Sequence, residues 1–134
     1  MQIKDNQAML TLEIEGYEYI FSNDPDEADL IVVQIGIESE LNLFSFSGHA
    51  IQRTTLYNFA KWLHDCNEND LYQLDEEGPI FRRTLEGISI EFDEDNEDSE
   101  QENLTQSFQC NQNALKEAGN NLQEQLVKFP SRLN

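Results

Sequence analysis

The acidic run Glu91–Glu102 has the highest density of residues that could do chemistry, with eight carboxylates in twelve residues. No lysine or arginine lies between Arg83 and Lys116 to neutralise it. Burying an unpaired carboxylate costs several kcal/mol, so this array must face water or a strongly basic partner. A second window without a base, between Lys4 and Arg53, contains ten more carboxylates. The acids are therefore patterned along the chain and not only numerous.

Calcium is the first ligand to consider for such a run. Asp93, Asp95 and Glu97 have the spacing of the first three ligands of a calcium-binding loop. The match ends there, because Asp98 occupies the position of the turn glycine and Leu104 that of the bidentate glutamate. We expect diffuse attraction of cations and no specific calcium site.

Zinc binding and nucleophilic catalysis are the other chemistries to weigh. The possible zinc ligands are His49, His64, Cys66 and Cys110. Only His64 and Cys66 are close in sequence, whereas structural zinc sites use closely spaced pairs. Neither cysteine lies in an electropositive stretch, so both are expected to be free, partly buried thiols. The sequence also lacks the phosphate-loop and hydrolase motifs. We predict no enzymatic activity, no metal and no cofactor.

The net charge restricts the class of partner. The 134 residues contain 27 acids and 8 bases, a formal charge of -19. Such a field repels nucleic acid and anionic membrane surfaces and attracts cationic proteins. The N-terminus has no signal-peptide pattern, and no apolar run reaches the roughly 18 residues of a membrane span. We expect a cytoplasmic protein with a basic protein partner, and the oligomeric state is left open.

The candidate partner-binding residues come from both windows that lack a base. In the first window they are Asp24, Asp26 and Glu27, in a loop predicted at residues 22–28 by its Asp-Pro-Asp sequence. In the second window they are Asp93, Glu94, Asp95, Glu97, Asp98, Glu100 and Glu102. We predict that the second group forms an acidic loop at about residues 93–103, because high like charge disfavours compact structure.

Strand patterns that must position these acids dominate the first half of the chain. Residues 9–14 alternate apolar and polar side chains, and residues 17–21 are aromatic and β-branched, which predicts a hairpin turning at Glu15-Gly16. Residues 29–38 predict a central strand, since both of its faces are apolar. Residues 41–48 predict a second strand, paired with it in an antiparallel meander.

Helical periods and further strands follow. Apolar residues at helical spacing predict a helix at residues 55–66, capped by Thr54 or Thr55. Its stripe consists of Leu56, Phe59, Ala60 and Leu63. It is expected to cover the sheet face that carries Ile31, Val33, Ile35 and Ile37. Residues 80–92 predict a hairpin around Glu86-Gly87, and residues 104–110 favour a strand, with irregular chain as the alternative. Residues 111–129 predict a helix that Gly119 weakens.

Together these elements predict a single α+β domain spanning residues 1–134. In it, one antiparallel sheet of about five to seven strands packs against two amphipathic helices. The acidic loop at about residues 93–103 would leave the sheet at the end of a strand, since the run begins inside one.

Four stretches resemble small bacterial immunity proteins of the WapI-type family. They are A-D-L-I-V-V-Q-I-G-I-E-S, L-F-S-F-S-G-H-A, T-T-L-Y-N-F-A-K-W-L and, after the last helix, F-P-S-R. The resemblance covers about half of the chain. It implies a protein that protects a cell from the toxic domain of a wall-associated or contact-dependent toxin, with no catalytic motif to carry over.

Charge and resemblance suggest the same hypothesis. Many such toxins are nucleases with basic clefts, so the resemblance implies an immunity protein that neutralises a cationic toxin domain by stoichiometric, electrostatically steered occlusion. The alternative is a DNA mimic or acidic adaptor that sequesters another basic protein. That alternative predicts carboxylates spaced like phosphates along one face.

Overall fold

The computed structural model describes residues 1–40, 43–75, 78–92 and 104–133. The described chain is an α+β fold with eight strands and two helices. The strands are β1 (Gln2–Lys4), β2 (Ala8–Tyr17), β3 (Leu30–Ser39), β4 (Leu43–Gln52), β5 (Leu71–Gln73), β6 (Ile80–Arg83), β7 (Gly87–Phe92) and β8 (Leu104–Gln109). The helices are α1 (Arg53–Asp65) and α2 (Gln112–Val127).

The strands form two sheets, where the sequence predicted one. The first sheet has the order β1-β2-β3-β4 and the second the order β5-β6-β7-β8, with antiparallel pairing throughout. The α+β class is confirmed and the single sheet is wrong. Alternation along a strand reports which residues share a face, but it does not report which strands share hydrogen bonds. Residues of both sheets and both helices contribute to one hydrophobic core.

The first sheet corrects one predicted hairpin and confirms the predicted meander. β2 continues through Glu15 and Gly16, where the register with β3 shifts by a bulge and Gly16 takes a φ of 147°. Glycine adopts this conformation readily, so the residue that predicted a turn instead serves a bulge. β3 lies between β2 and β4 and is central, as predicted. The true hairpin partner of β2 at this edge is the short β1.

The second sheet confirms the predicted hairpin of β6 and β7 and the predicted strand β8. Gly87 allows the close pairing of β7 with β8, because a Cβ atom on it would lie 2.0 Å from the carbonyl oxygen of Phe108. The three-residue β5 was missed, since its sequence lies within a polar segment.

Helix α1 has the predicted stripe, and all four of its apolar residues are buried. The sequence predicted that the stripe covers a face of the first sheet, but the stripe also packs against the second sheet. Phe59 packs against Tyr72 and Phe81 of the second sheet, with ring centroids 5.3 and 4.6 Å apart. The predicted threonine cap is also wrong, because the N-cap is Gln52, which makes no side-chain capping bond.

Helix α2 begins at an Asn111 cap, whose side-chain oxygen accepts a hydrogen bond of 2.8 Å from the amide of Ala114. Gly119, which the sequence marks as a weak point, is buried against α1. A Cβ atom there would lie 2.6 Å from the carbonyl oxygen of Ala60. The glycine therefore lets the two helices cross closely, and this packing offsets its cost of about 1 kcal/mol within a helix.

Candidate functional site

The loop of residues 18–29 joins β2 to β3 and carries the three described candidate acids. Asp24 folds the loop on itself, because its carboxylate accepts from the amide of Asp26 at 2.8 Å and its carbonyl oxygen accepts from the amides of Glu27 and Ala28. Asp24 and Asp26 are exposed, and Glu27 is half-buried beside Ser22. The structure thus brings the three predicted acids together on one turn. We call Asp24, Asp26 and Glu27 the acidic turn.

The C-terminal segment holds this loop through Asp29. This carboxylate is buried, and it accepts hydrogen bonds from the Ser131 hydroxyl at 2.5 Å and the Arg132 amide at 2.8 Å. Of the loop's five acids, Asp29 is thus the one committed to internal bonds with the chain terminus. A buried carboxylate is stable only with such partners.

The guanidinium group of Arg132 is the second anchor of the loop. It donates to the carbonyl oxygens of Tyr19 at 2.8 Å, Ile20 at 2.9 Å and Ala28 at 2.7 Å. It also lies over the Tyr17 ring, 3.9 Å from the centroid. Because these partners are carbonyls and a ring, Arg132 orders the loop's backbone while the carboxylates of the turn point elsewhere.

The loop is further attached to the first turn of α1. Arg53 donates its main-chain amide to the Asp29 carbonyl at 2.9 Å and its Nε to the Phe129 carbonyl at 2.8 Å. The side-chain amide of Gln52 donates to the Asp26 carbonyl at 3.0 Å. The acidic turn therefore lies at the end of the molecule where α1 begins.

The other seven candidate acids, all between Asp93 and Glu102, lie outside the described residues. The residues that flank them are described, and Phe92 of β7 pairs with Leu104 of β8. The side of the second sheet at which this pair lies follows from the contacts of β5 and β6.

Two contacts orient the second sheet along α1. The Tyr72 hydroxyl donates to the Thr55 carbonyl at 2.6 Å, near the start of α1. At the other end, Gln112 bridges the two elements: its amide donates to the His64 carbonyl at 2.7 Å, and its side-chain oxygen accepts from Arg83 at 3.4 Å. β6 thus runs from the start of α1 towards its end, and the antiparallel β7 returns. The strand ends that flank the acidic run therefore point to the same end of the molecule as the acidic turn.

The opposite end of the molecule is closed by bonds within the turn between β6 and β7 and by one bond between distant parts of the chain. Arg83 donates to the carbonyl oxygens of Thr84 and Gly87, both at 2.6 Å, within the turn between β6 and β7. Asp5 of the β1–β2 turn bonds to the amide of Gln109 at 2.9 Å. A polar cleft of about 480 Å³ lies between these two turns.

Three titratable groups at this closed end have shifted pKa values. Burial raises the pKa of the Cys66 and Cys110 thiols, although the nearby Arg83 charge opposes the shift. Both thiols are free, as predicted. The slight burial of Asp5 would raise its pKa, but hydrogen bonds from the amides of Gln109, Gln7 and Ala8 outweigh it and hold the pKa below its usual range.

Metal binding is assessed for the described residues only. Within residues 1–40, 43–75, 78–92 and 104–133, no group of three or more His, Cys, Asp or Glu side chains is placed to hold a metal ion. A thiol with a raised pKa is a weak nucleophile at neutral pH. The feature that the described residues do present is the acidic loop of residues 18–29, held by Arg132, Arg53 and Gln52.

Comparison with known families indicates whether the partner is a toxin or another protein. The model of the immunity protein WapI-like family matches residues 1–130, nearly the whole chain. The chain belongs to this family. The match extends the resemblance from about half of the sequence to almost all of it, and it gives this WapI-like immunity protein an immunity function with a cognate toxin as its partner. No curated protein and no solved structure matches the chain.

The described helices of this WapI-like immunity protein are short and amphipathic. Neither α1 nor α2 is long and apolar enough to cross a bilayer.

Sequence reasoning missed the residues that hold the loop of this WapI-like immunity protein. The F-P-S-R stretch contributed to the resemblance, but its role was unassigned. In the structure Phe129 packs edge-on against Tyr17 at 5.7 Å, and the Pro130 carbonyl accepts from the Tyr17 hydroxyl at 2.5 Å. Ser131 and Arg132 bind Asp29 and the loop's carbonyls. An arginine placed just after a helix-stopping proline was the available signal.

Proposed function

We propose that this immunity protein neutralises a cationic nuclease toxin domain by binding it stoichiometrically and occluding its basic cleft. In this mechanism the chain acts as one α+β domain in the cytoplasm, where nucleic acid is exposed to the toxin, and performs no chemistry. The observation that carries the proposal is the acidic turn, which is exposed and held in place by bonds to its backbone. Membership of the WapI-like family indicates that the partner is a cognate toxin.

The proposed contact surface combines the acidic turn with the acidic run. Asp24, Asp26 and Glu27 form the part within the described loop, and Asp93, Glu94, Asp95, Glu97, Asp98, Glu100 and Glu102 form the rest. The direction of β7 and β8 supports this combination, since their ends at Phe92 and Leu104 lie towards the start of α1. Carboxylates at one end of the molecule give a field with a direction, which a diffuse negative charge does not.

Complementary potentials would act mainly on the rate of association. Steering of this kind brings association to about 10⁸–10⁹ M⁻¹s⁻¹ at low salt, and the rate falls steeply as salt increases. Fast capture has a direct benefit here, because a nuclease does damage during the time it stays unbound.

The test compares two sets of charge-neutralising variants against the cognate toxin domain. The first set is Asp24→Asn, Asp26→Asn and Glu27→Gln, alone and combined with amides at the seven acids of the run. The matched control is Asp65→Asn, Glu117→Gln and Glu124→Gln, three exposed acids on the helices. Association and dissociation rates are measured at several salt concentrations, together with nuclease inhibition as a function of added immunity protein.

We expect full inhibition at one equivalent and a fall of about tenfold or more in association rate for the first set, with a weaker salt dependence. The control set should change the rate less than about twofold. If the two sets of variants have equal effects, the acidic surface is not the contact surface, and the immunity function still stands. Turnover of the toxin by substoichiometric amounts of the chain would overturn the occlusion mechanism.

A further inference from the structure

Three consecutive apolar side chains protrude from the loop next to the acidic turn. Tyr19, Ile20 and Phe21 are 42%, 75% and 96% exposed. Among the other residues whose exposure is described, the large exposed apolar side chains are isolated in sequence; they are Tyr57, Leu71, Leu85, Val127 and Leu133. Isolated apolar residues are normal on a protein surface, whereas a contiguous group marks a surface that another molecule covers.

The backbone that displays these side chains is fixed before any partner arrives. The Glu18 amide donates to the Leu30 carbonyl at 2.9 Å and closes the base of the loop. The half-buried Arg132 then donates hydrogen bonds to the carbonyls of Tyr19 and Ile20. A loop that is ordered during folding does not have to be ordered again on binding, so its apolar contacts add to affinity with less entropic cost.

The charges around the three side chains select the partner. Residues 18–29 contain five acids and no base, and all but Asp29 lie at least partly in solvent. An anionic membrane would be repelled by this loop, and so would a second copy of a chain whose net charge is -19. The complementary surface is a protein with an apolar pocket surrounded by lysine or arginine, which is the usual anatomy of a binding site with a hydrophobic centre and a charged rim.

We propose that Tyr19, Ile20 and Phe21 are the apolar anchor of the toxin-binding surface, with Phe21 at its centre. The anchor enters an apolar pocket beside the toxin's basic cleft, while the acids of the neighbouring turn face the basic rim. This inference rests on the proposed function and adds to it the residues that retain the toxin after the carboxylates have attracted it. The two roles differ in kinetics, since buried apolar anchors act on dissociation and rim charges on association.

The experiment measures binding of the full-length chain to the cognate toxin domain for Phe21→Ala and Ile20→Ala. Leu85→Ala is the matched control, because Leu85 is 80% exposed in a turn at the opposite end. We expect Phe21→Ala to raise Kd about tenfold or more, mainly through faster dissociation that is insensitive to salt. Leu85→Ala should change Kd less than about twofold, and thermal unfolding should be the same for all three variants because none of these side chains is in the core.

Several results would contradict the anchor. If Phe21→Ala and Ile20→Ala bind the toxin as tightly as the unchanged chain, the anchor is wrong and the proposed function stands. If the unchanged chain does not bind the toxin, both proposals fall. Sedimentation that reveals a dimer abolished by Phe21→Ala would assign the patch to a second copy of this chain and overturn the choice of the toxin.

Discussion

The two ends of helix α1 meet loops of opposite construction. At its start the loop of residues 18–29 is long, acidic and apolar at its tip, and its brace comes from Arg132, 104 to 113 residues away in sequence. At its end the turn at residues 84–87 is short, and its brace comes from the adjacent Arg83. Both arginines donate to main-chain carbonyls, so the chemistry of the brace is shared and only its origin differs.

The loop of residues 18–29 therefore presents side chains that a partner could contact, whereas the turn at residues 84–87 mainly connects two strands. A short turn held largely by its own neighbour stays folded with little help, and Leu85 is its one exposed large apolar side chain. A twelve-residue loop loses more entropy on ordering, so it needs anchors from elsewhere in the fold. The anchors bind main-chain carbonyls of the loop, and the side chains of Tyr19, Ile20 and Phe21 stay exposed.

The largest effect is expected at the closed end. Gly87→Ala places a Cβ atom 2.0 Å from the Phe108 carbonyl oxygen, a distance that forces β7 and β8 apart. We expect a loss of about 3 kcal/mol in the free energy of unfolding, measured by urea denaturation. Leu85→Ala in the same turn is the control and should change stability by less than about 0.5 kcal/mol. A stability loss of similar size in both variants would mean that strand contact is not what closes this end.

The variant Arg132→Ala tests how the loop of residues 18–29 is held in place. The substitution removes charge-assisted hydrogen bonds to three main-chain carbonyls, of which that of Ala28 is part-buried, so we expect about 2 kcal/mol of destabilisation. Amide hydrogen exchange should rise in residues 18–29 and stay constant in residues 84–87. Lys128→Ala removes the same charge from an exposed side chain and serves as the control. Faster exchange at both ends would show that the two loops are not braced independently.

The ionisation of Asp5 makes the free energy of unfolding depend on pH. Its pKa is below that of the unfolded chain, so the ionised carboxylate stabilises the fold above about pH 4 and loses this contribution as the pH falls through the folded value. Asp5→Asn should therefore cost about 1 kcal/mol near neutral pH, and the difference from the unchanged chain should shrink in acid. Chemical denaturation at each pH measures it. Asp65→Asn, an exposed acid with no such bonds, should show no comparable difference.

The smallest effect concerns the two thiols of the closed end. Burial raises the pKa of Cys66 and Cys110, so less thiolate is present at pH 8 than in the unfolded chain. Alkylation of the folded protein by iodoacetamide should be several-fold slower than in denaturant and should accelerate as pH rises. Equal rates in the two states would indicate that this end opens easily, and the contrast between the ends would be lost.

Much of the fold follows from local patterns in the sequence. The central strand β3, the β6–β7 hairpin, the strand β8 and both helices were predicted, because alternation and helical spacing arise from residues close in sequence. The errors share a cause. Gly16 was interpreted as a turn and is a bulge, and Gly119 was interpreted as a weak point and is a helix crossing. In each case a residue's role depended on what lies against it in space.

The candidate site divides in the same way. Composition alone was sufficient to identify the loop of Asp24, Asp26 and Glu27 as solvated and acidic, because carboxylates without counter-charges cannot be buried. Composition could not separate Asp29 from its neighbours, nor could it indicate that Arg132 holds the carbonyls of Tyr19, Ile20 and Ala28. Those assignments needed the folded chain, since contacts across more than 100 residues of sequence leave no trace in a local pattern. Which acids are displayed, and on what support, is a property of the tertiary structure.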